Sequence, residues 1–462
     1  MIQEEGDSTF EVITFGCRLN SFESEIIKNA VKESNQKNLV VFNSCAVTAE
    51  AERQLRQKIR KYKKENPQAK IVVTGCAAQI NPEKYAKMVE IDLILGNQEK
   101  LEAKNYQFAL DRKYSKQIKN SPKNKQNSEI FHKDQLFLNE RKSNAEFLQE
   151  NELVKIKVND IMSVEDTAPQ LVSYFENRTR AFLEIQNGCN HRCTFCIIPF
   201  GRGNSRSVPL GEIVKNVKEL VKNGHQEIVL TGVDISDYGK DLAVPITLSQ
   251  MIRRLLNIVP ELSRLRLSSI DVAEIDQEFF DILANEPRLM PYLHLSVQSG
   301  DDLILKRMKR RHTRAQVIEF CQKARKIRPE ITFGADIIAG FPTESEEALQ
   351  NSINLIKEAD LIFTHIFPYS SRQGTPASKM PQIDKKIIKH RAKKLREAGN
   401  LQLKQYLAKQ IGKILSVIIE KDNYGKSDNF LDVKFVGSKK LINGQIYDLK
   451  ITSVDNCQLI SS

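Results

Sequence analysis

Cys189, Cys193 and Cys196 stand in the stretch IQNGCNHRCTFCIIPFGRGNSRS (185–207) at the spacing C-x3-C-x2-C. Thiolates this close together are read as metal ligands or redox groups. Structural zinc wants four ligands at regular Cys or His spacing. Here no fourth cysteine follows, and His191 lies between the other ligands on an already crowded loop. A 4Fe-4S cluster held by three thiolates leaves one iron able to bind something other than protein. The spacing therefore favours a cluster with an open iron over a zinc knuckle or an ordinary redox ligand set.

A second set of cysteines is dispersed but patterned. Cys17 follows the apolar run ITFG, Cys45 follows VVFNS and Cys76 follows IVVTG. Between the runs lie the amphipathic stretches SFESEIIKNAVKES and AEAERQLRQKIRKYKKENP. This βαβαβ alternation predicts a parallel sheet, in which binding groups gather at the carboxyl ends of the strands. Three cysteines at equivalent points of successive units are then expected to converge on one sheet edge as metal ligands. Cys321 and Cys457 have no metal-like neighbour in sequence and are assigned to packing.

The 462 residues exceed what one ordinary core uses, so several domains are expected. A chain 40% hydrophobic and 28% charged can bury real cores. Its acidic first residues and the lack of any run of about 18 apolar residues predict a cytoplasmic protein with no membrane segment. Formal net charge is +12, which favours a polyanionic partner, with nucleic acid the leading candidate. The predicted organisation is α/β: an N-terminal parallel-sheet domain over 1–103, a linker with a polar insertion over 104–178, a partial (β/α)6 barrel over 179–400, and a small all-β OB-like barrel over 401–462. The insertion is marked by a segment rich in Lys, Asn, Ser and Gln around 104–150. The barrel is marked by the strand-like runs RAFLEIQ, EIVLTG, RLRLSSI, YLHLSVQSG, TFGADIIAGFP and LIFTHIFPY.

The cysteine loop, with Phe195 as the aromatic residue before its last cysteine, resembles the radical S-adenosylmethionine (SAM) superfamily. With FGCRLNSFESE, NSCAVT, VTGCAAQ, HLSVQSGDD and GADIIAGFPTE in order along the chain, it resembles the radical SAM methylthiotransferase family more narrowly. That resemblance implies two 4Fe-4S clusters, one on Cys189, Cys193 and Cys196 and an auxiliary one on Cys17, Cys45 and Cys76. It also implies SAM as both radical source and methyl donor, a C-terminal TRAM domain, and a low-potential electron donor such as flavodoxin or ferredoxin. Thr231, Gly232, Ser296, Gln298 and Gly340 become candidate SAM contacts, with Phe195 beside them.

The substrate implied is tRNA. RLRLSSID and the segment 53–79 are most similar to the branch that methylthiolates carbon 2 of N6-threonylcarbamoyladenosine at position 37. Alternatives are the branch acting on isopentenyladenosine tRNA, the branch acting on a ribosomal protein aspartate, and a non-catalytic RNA-binding iron-sulfur protein. Arg202 and Arg206, just after the cysteine loop, are candidates to pair with the threonylcarbamoyl carboxylate, or else to close the loop against backbone carbonyls. The basic stretches 53–64, 306–314 and 385–397, together with the C-terminal barrel, are candidates for RNA docking.

Overall fold

The computed structural model describes residues 10–107, 155–165, 179–438 and 440–462. Apart from 104–107 and 155–165, the expected linker over 104–178 lies outside the described residues. By internal contacts the chain forms two compact units. One takes in residues up to Gly16, Ile26–Ala46 and Glu50–Ile161, and the other Cys17–Glu25, Val47–Ala49 and the chain from Met162 onward.

The smaller unit carries five parallel strands, β1 (Phe10–Thr14), β2 (Leu39–Ser44), β3 (Lys70–Gly75), β4 (Leu93–Leu95) and β5 (Ile156–Lys157), in the spatial order β1-β2-β3-β4-β5. LVVFNS and KIVVTG are rich in β-branched residues and almost wholly buried, as interior strands of a parallel sheet must be. Ile27, Val31, Leu39, Val41, Val72, Leu95 and Tyr106 form the core on one face. Because the strands follow one another in sequence order, the sheet has no switch point. Each strand instead opens into its turn at the same edge, and the register pair Ser44–Gly75 sends the chain out at Cys45 and Cys76 side by side. Gly75 is required there. Its φ is +90°, and a Cβ would fall 2.4 Å from the Ser44 backbone.

In the larger unit, β6 (Arg180–Glu184) leads into a small hairpin of β7 (Gln186–Asn187) and β8 (Arg206–Ser207). Six strand paths then make an open parallel arc: β6, β9 (Glu227–Thr231), β10 (Arg264–Leu267) continued by β11 (Ser269–Ile270), β12 (Tyr292–Gln298), β13 (Thr332–Ala339) and β14 (Leu361–Pro368). Amphipathic helices such as Leu210–Lys222 and Leu248–Ile258 bury one face against them. The partial barrel expected from the strand runs is thus present.

A closed five-stranded barrel follows: β15 (Ile414–Lys421), β16 (Tyr424–Ser427), β17 (Asp432–Phe435), β18 (Ile446–Asp455) and β19 (Gln458–Ser461). Leu415, Val417, Ile419, Leu431, Val433 and Leu459 fill it. It is seated on the amino ends of the parallel strands. Arg264 donates to Ser416 O at 2.9 Å, Arg266 to Asp428 O at 2.9 Å, and Thr332 Oγ1 to Asn429 O at 2.6 Å. Phe430 stacks on Tyr292 at 4.3 Å. Beneath these contacts the fully buried Glu227 is held ionised. Burial alone would raise its carboxyl, but Arg266 at 2.7 and 3.1 Å, with Arg180 and Arg264 nearby, draws it down.

Candidate metal centre

The loop carrying Cys189, Cys193 and Cys196 leaves the carboxyl end of β6, where functional groups of such barrels collect. Backbone bonds fold it: Cys189 N donates to Gly203 O at 3.1 Å and Cys196 N to Cys193 O at 3.0 Å. Arg192 ties it from inside, donating to Cys189 O and to Asn204 Oδ1, each at 2.8 Å. Thr194 fastens it to the far side of the arc: its N donates to Met308 O, its Oγ1 to Arg307 O, and its O accepts from Ala377 N. Phe195 turns inward onto Phe341, ring edge to ring face, beside Ile304, Met308 and Ile338. The aromatic position of the motif therefore anchors the loop by packing.

Burial pushes the Cys189 thiol up to about 12, with the Asp234 carboxylate adding to the shift, and it pushes Cys196 up to about 12 as well. Opposing this, the N–H groups of His191 and Ile198 point at the two sulfurs, and the Arg310 charge draws Cys196 down. Arg310 Nη1 lies 3.8 Å from Cys193 Sγ. Desolvated thiols of this kind become thiolates when a metal supplies the positive charge that the protein withholds. This donor set suits iron, and three sulfurs on one loop leave an iron of a four-iron cluster for another ligand.

The expected SAM contacts gather at the same ends of the strands. Thr231 is the buried last residue of β9, and Gly232 follows it with its Cα hydrogen against Gln186 O, where a Cβ would stand at 2.6 Å. Ser296 and Gln298 close β12, Gln298 at a φ of +71°. Gly340 follows β13 at +73°, and a Cβ there would meet Ile388 at 2.6 Å. Gly340 is thus accounted for by packing against the helix Lys385–Ala408, a reason the sequence did not disclose. In the smaller unit, Cys45 and Cys76 follow paired strands. Cys17 comes three residues after β1, immediately before the helix Arg18–Glu33, and belongs by its contacts to the larger unit. Cys321 is buried within the helix Arg314–Ile327, and Cys457 packs on the core of the C-terminal barrel, as assigned.

Two expectations need correction. Arg202 is 2% exposed, its Nη1 and Nη2 on the Glu23 carboxylate at 2.6 and 2.8 Å and Nη2 also on Asn20 Oδ1. It is no candidate for a substrate carboxylate, because its fork is filled by another carboxylate out of water. Arg206 donates to Asn204 O and Arg202 O, so it closes the loop against backbone carbonyls. The run 306–314 is only partly an open basic patch, since Lys306 and Lys309 are exposed but its arginines are engaged. Arg307 bonds Thr343, Arg310 and Arg311 bond Asp271, and Arg314 bonds Glu358.

Sequence reasoning missed several positioning residues. Gln186 Nε2 donates to Gly188 O at 2.7 Å and Ser205 Oγ at 2.9 Å, while its Oε1 accepts from Val233 and Asp234 N–H, joining the cysteine loop to the turn after β9. Asp234 lies 3.1 Å from His191 Nε2. Burial would raise the Asp271 carboxyl, but His312 and Arg310 hold it well below the usual range. Glu344 accepts from Gly340 N–H and from Arg391, yet burial lifts it to about 7. Only the charged run 306–314 hinted at any of these.

Residues 183–356 match the Radical SAM superfamily, and residues 9–96 match Uncharacterized protein family UPF0004. A threonylcarbamoyladenosine tRNA methylthiotransferase MtaB from Rickettsia prowazekii is 50% identical, over 96% of this chain and 95% of its own length. The enzyme of the same name from Aquifex aeolicus is 35% identical, over 93% of this chain and 97% of its own. Among solved structures, the radical S-adenosylmethionine methyltransferase TsrM from Kitasatospora setae superposes with a TM-score of 0.52 at 13% identity, covering 80% of this chain and 75% of that one. At that identity the likeness concerns fold alone.

Proposed function

Since this chain belongs to the radical SAM methylthiotransferase family, we propose that it converts N6-threonylcarbamoyladenosine at position 37 of tRNA to its 2-methylthio derivative. The observation that carries the substrate is the 50% identity, end to end, with a relative named for that reaction. The two matched families imply SAM and iron-sulfur chemistry.

In this reading Cys189, Cys193 and Cys196 would hold a 4Fe-4S cluster with an iron left open to SAM, and Cys17, Cys45 and Cys76 would hold a second one. When bound, the first cluster together with SAM would supply radical chemistry able to take hydrogen from an unactivated carbon, work that no side chain here performs. The chain's own part is placement. Gln186, Arg192 and Thr194 fix the loop from three directions, so the three sulfurs keep one geometry. Thr231, Gly232, Ser296, Gln298 and Gly340 border the SAM site. A low-potential flavodoxin or ferredoxin would deliver the electron, and the tRNA substrate implies a cytoplasmic enzyme. Among the described residues no helix is long and apolar enough to cross a membrane. The exposed Lys385, Lys386, Lys389 and Lys393 remain available to RNA phosphates.

The test is anaerobic turnover of reconstituted enzyme with SAM, reductant and tRNA, followed by nucleoside mass spectrometry. Methylthiolation of threonylcarbamoyladenosine tRNA, and none of the same tRNA without that group, is expected. Product on isopentenyladenosine tRNA or on a ribosomal protein instead would overturn the substrate assignment.

A further inference from the structure

His294, Asp336 and His365 come together from β12, β13 and β14. Their ligand atoms lie within 4.8 Å of one another. His294 Nε2 is 3.0 Å and His365 Nδ1 3.3 Å from the same Asp336 oxygen, and the two imidazole rings are 4.9 Å apart. Parallel strand register brings this about: Asp336 pairs directly with His365, and His294 pairs with Gly334, two residues before Asp336 on the same face.

The geometry points to a divalent cation site of the zinc class, built by two imidazoles and one carboxylate. A tetrahedral ion with bonds of about 2.0–2.1 Å keeps its ligand atoms roughly 3.3 Å apart, close to the two nitrogen–oxygen spacings found. The set is also prepared from behind. His294 Nδ1 lies 2.8 Å from Tyr292 Oη, so an Nδ1–H donated to that oxygen leaves Nε2 with its lone pair toward the ion, the arrangement that orients ligating histidines. Tyr292 is itself fixed, 1% exposed and stacked on Phe430. Space for the pair exists because residue 334 is glycine: a Cβ there would fall 2.5 Å from both His294 Nδ1 and Tyr292 Oη.

Two neutral imidazoles and one carboxylate leave a bound dication with one positive charge and at least one open position, as in catalytic rather than structural zinc sites. The side chain of His365 is 59% exposed, so the site opens toward solvent on that side. Ser296, two residues further along β12, has its carbonyl on Arg310, which reaches Cys193. The cation would therefore sit about 7 Å of strand below the level of the cysteine loop, as a third metal site distinct from the cysteine sets.

The experiment is zinc binding by the cluster-loaded enzyme, read by elemental analysis after gel filtration and by zinc-edge X-ray absorption. One zinc per chain with nitrogen and oxygen neighbours and no sulfur is expected. His365→Ala, at an exposed position, and Asp336→Asn should each weaken zinc binding by tenfold or more, and Tyr292→Phe by about tenfold, all with iron content unchanged. Failure of the wild-type enzyme to retain zinc, sulfur in the zinc shell, or retention unaltered in His365→Ala and Asp336→Asn would overturn the assignment.

Discussion

The guanidinium of Arg310 stands 3.8 Å from the sulfur of Cys193. Its other nitrogen is fixed at 2.8 Å by Asp271 and at 2.6 Å by the Ser296 carbonyl, so the charge cannot swing away from the loop. A cation held beside a ligating sulfur favours the reduced, more negative form of a cluster. Arg310→Met should therefore shift the cluster midpoint to lower potential and slow SAM cleavage by on the order of tenfold, with iron retained. An unchanged midpoint in an EPR-monitored redox titration would refute this role.

Arg202 and Glu23 form a buried pair, 2% and 3% exposed at their side chains. Removing one member leaves the other charged and dry. Arg202→Met should cost roughly 3–5 kcal/mol of stability in denaturant unfolding. Arg206→Ala, in contrast, should leave the KM for threonylcarbamoyladenosine tRNA unchanged. A selective rise in that KM would restore Arg206 as a carboxylate partner.

Gly232→Ala places a methyl group 2.6 Å from Gln186 O and 2.8 Å from Ile235 Cγ2. Neither neighbour retreats freely, since the Gln186 backbone is held in the β7–β8 pair and Ile235 is fully buried. A cost of about 1–3 kcal/mol is expected, together with faster loss of iron from the 189–196 loop on exposure to chelator. Normal iron retention would show that the turn after β9 does not position the cysteines.

Glu344 predicts a pH dependence of definite sign. Burial raises its carboxyl from 4.5 to about 7, despite the Gly340 N–H and Arg391. Between those values the folded chain holds a proton that the unfolded chain has released. Its contribution to stability is thus full below pH 4.5 and lost as pH rises through 7. Glu344→Gln should remove this slope, so that the wild-type-minus-variant difference falls by roughly 1–3 kcal/mol across the window. Parallel stability curves for the two proteins would contradict the assignment.

Deleting the C-terminal barrel should disturb the parallel-strand arc on which it is seated as well as any RNA docking. Removing the chain beyond about residue 402 would uncover Tyr292 and strip Arg264 and Arg266 of their carbonyl partners. Such a truncation should unfold at lower denaturant than the full chain, measured before any loss of RNA affinity is interpreted. A truncated protein as stable as the full chain would show that the barrel is only an appendage.

Local sequence was enough to mark the three-thiol loop, the strand-cysteine repeats of the N-terminal sheet and the six barrel strands. Those signals are short-range: ligand spacing, β-branched runs and a period of 3.6 do not depend on distant contacts. The fates of Arg202 and Arg206 were not legible, because a guanidinium beside a candidate site looks the same in sequence whether it faces substrate or a carboxylate 179 residues away. Arg310, Arg311 and Arg314 in the run 306–314 read as solvated charge until Asp271, Glu274 and Glu358 arrive from other elements to claim them. His294, Asp336 and His365 each sit on a different strand, with nothing nearby in sequence to join them. Chemistry carried by neighbours in the chain was written in the sequence, whereas the pairing of buried charges and the His–Asp–His cluster were decided by strand register and packing, which bring together residues that share no local pattern.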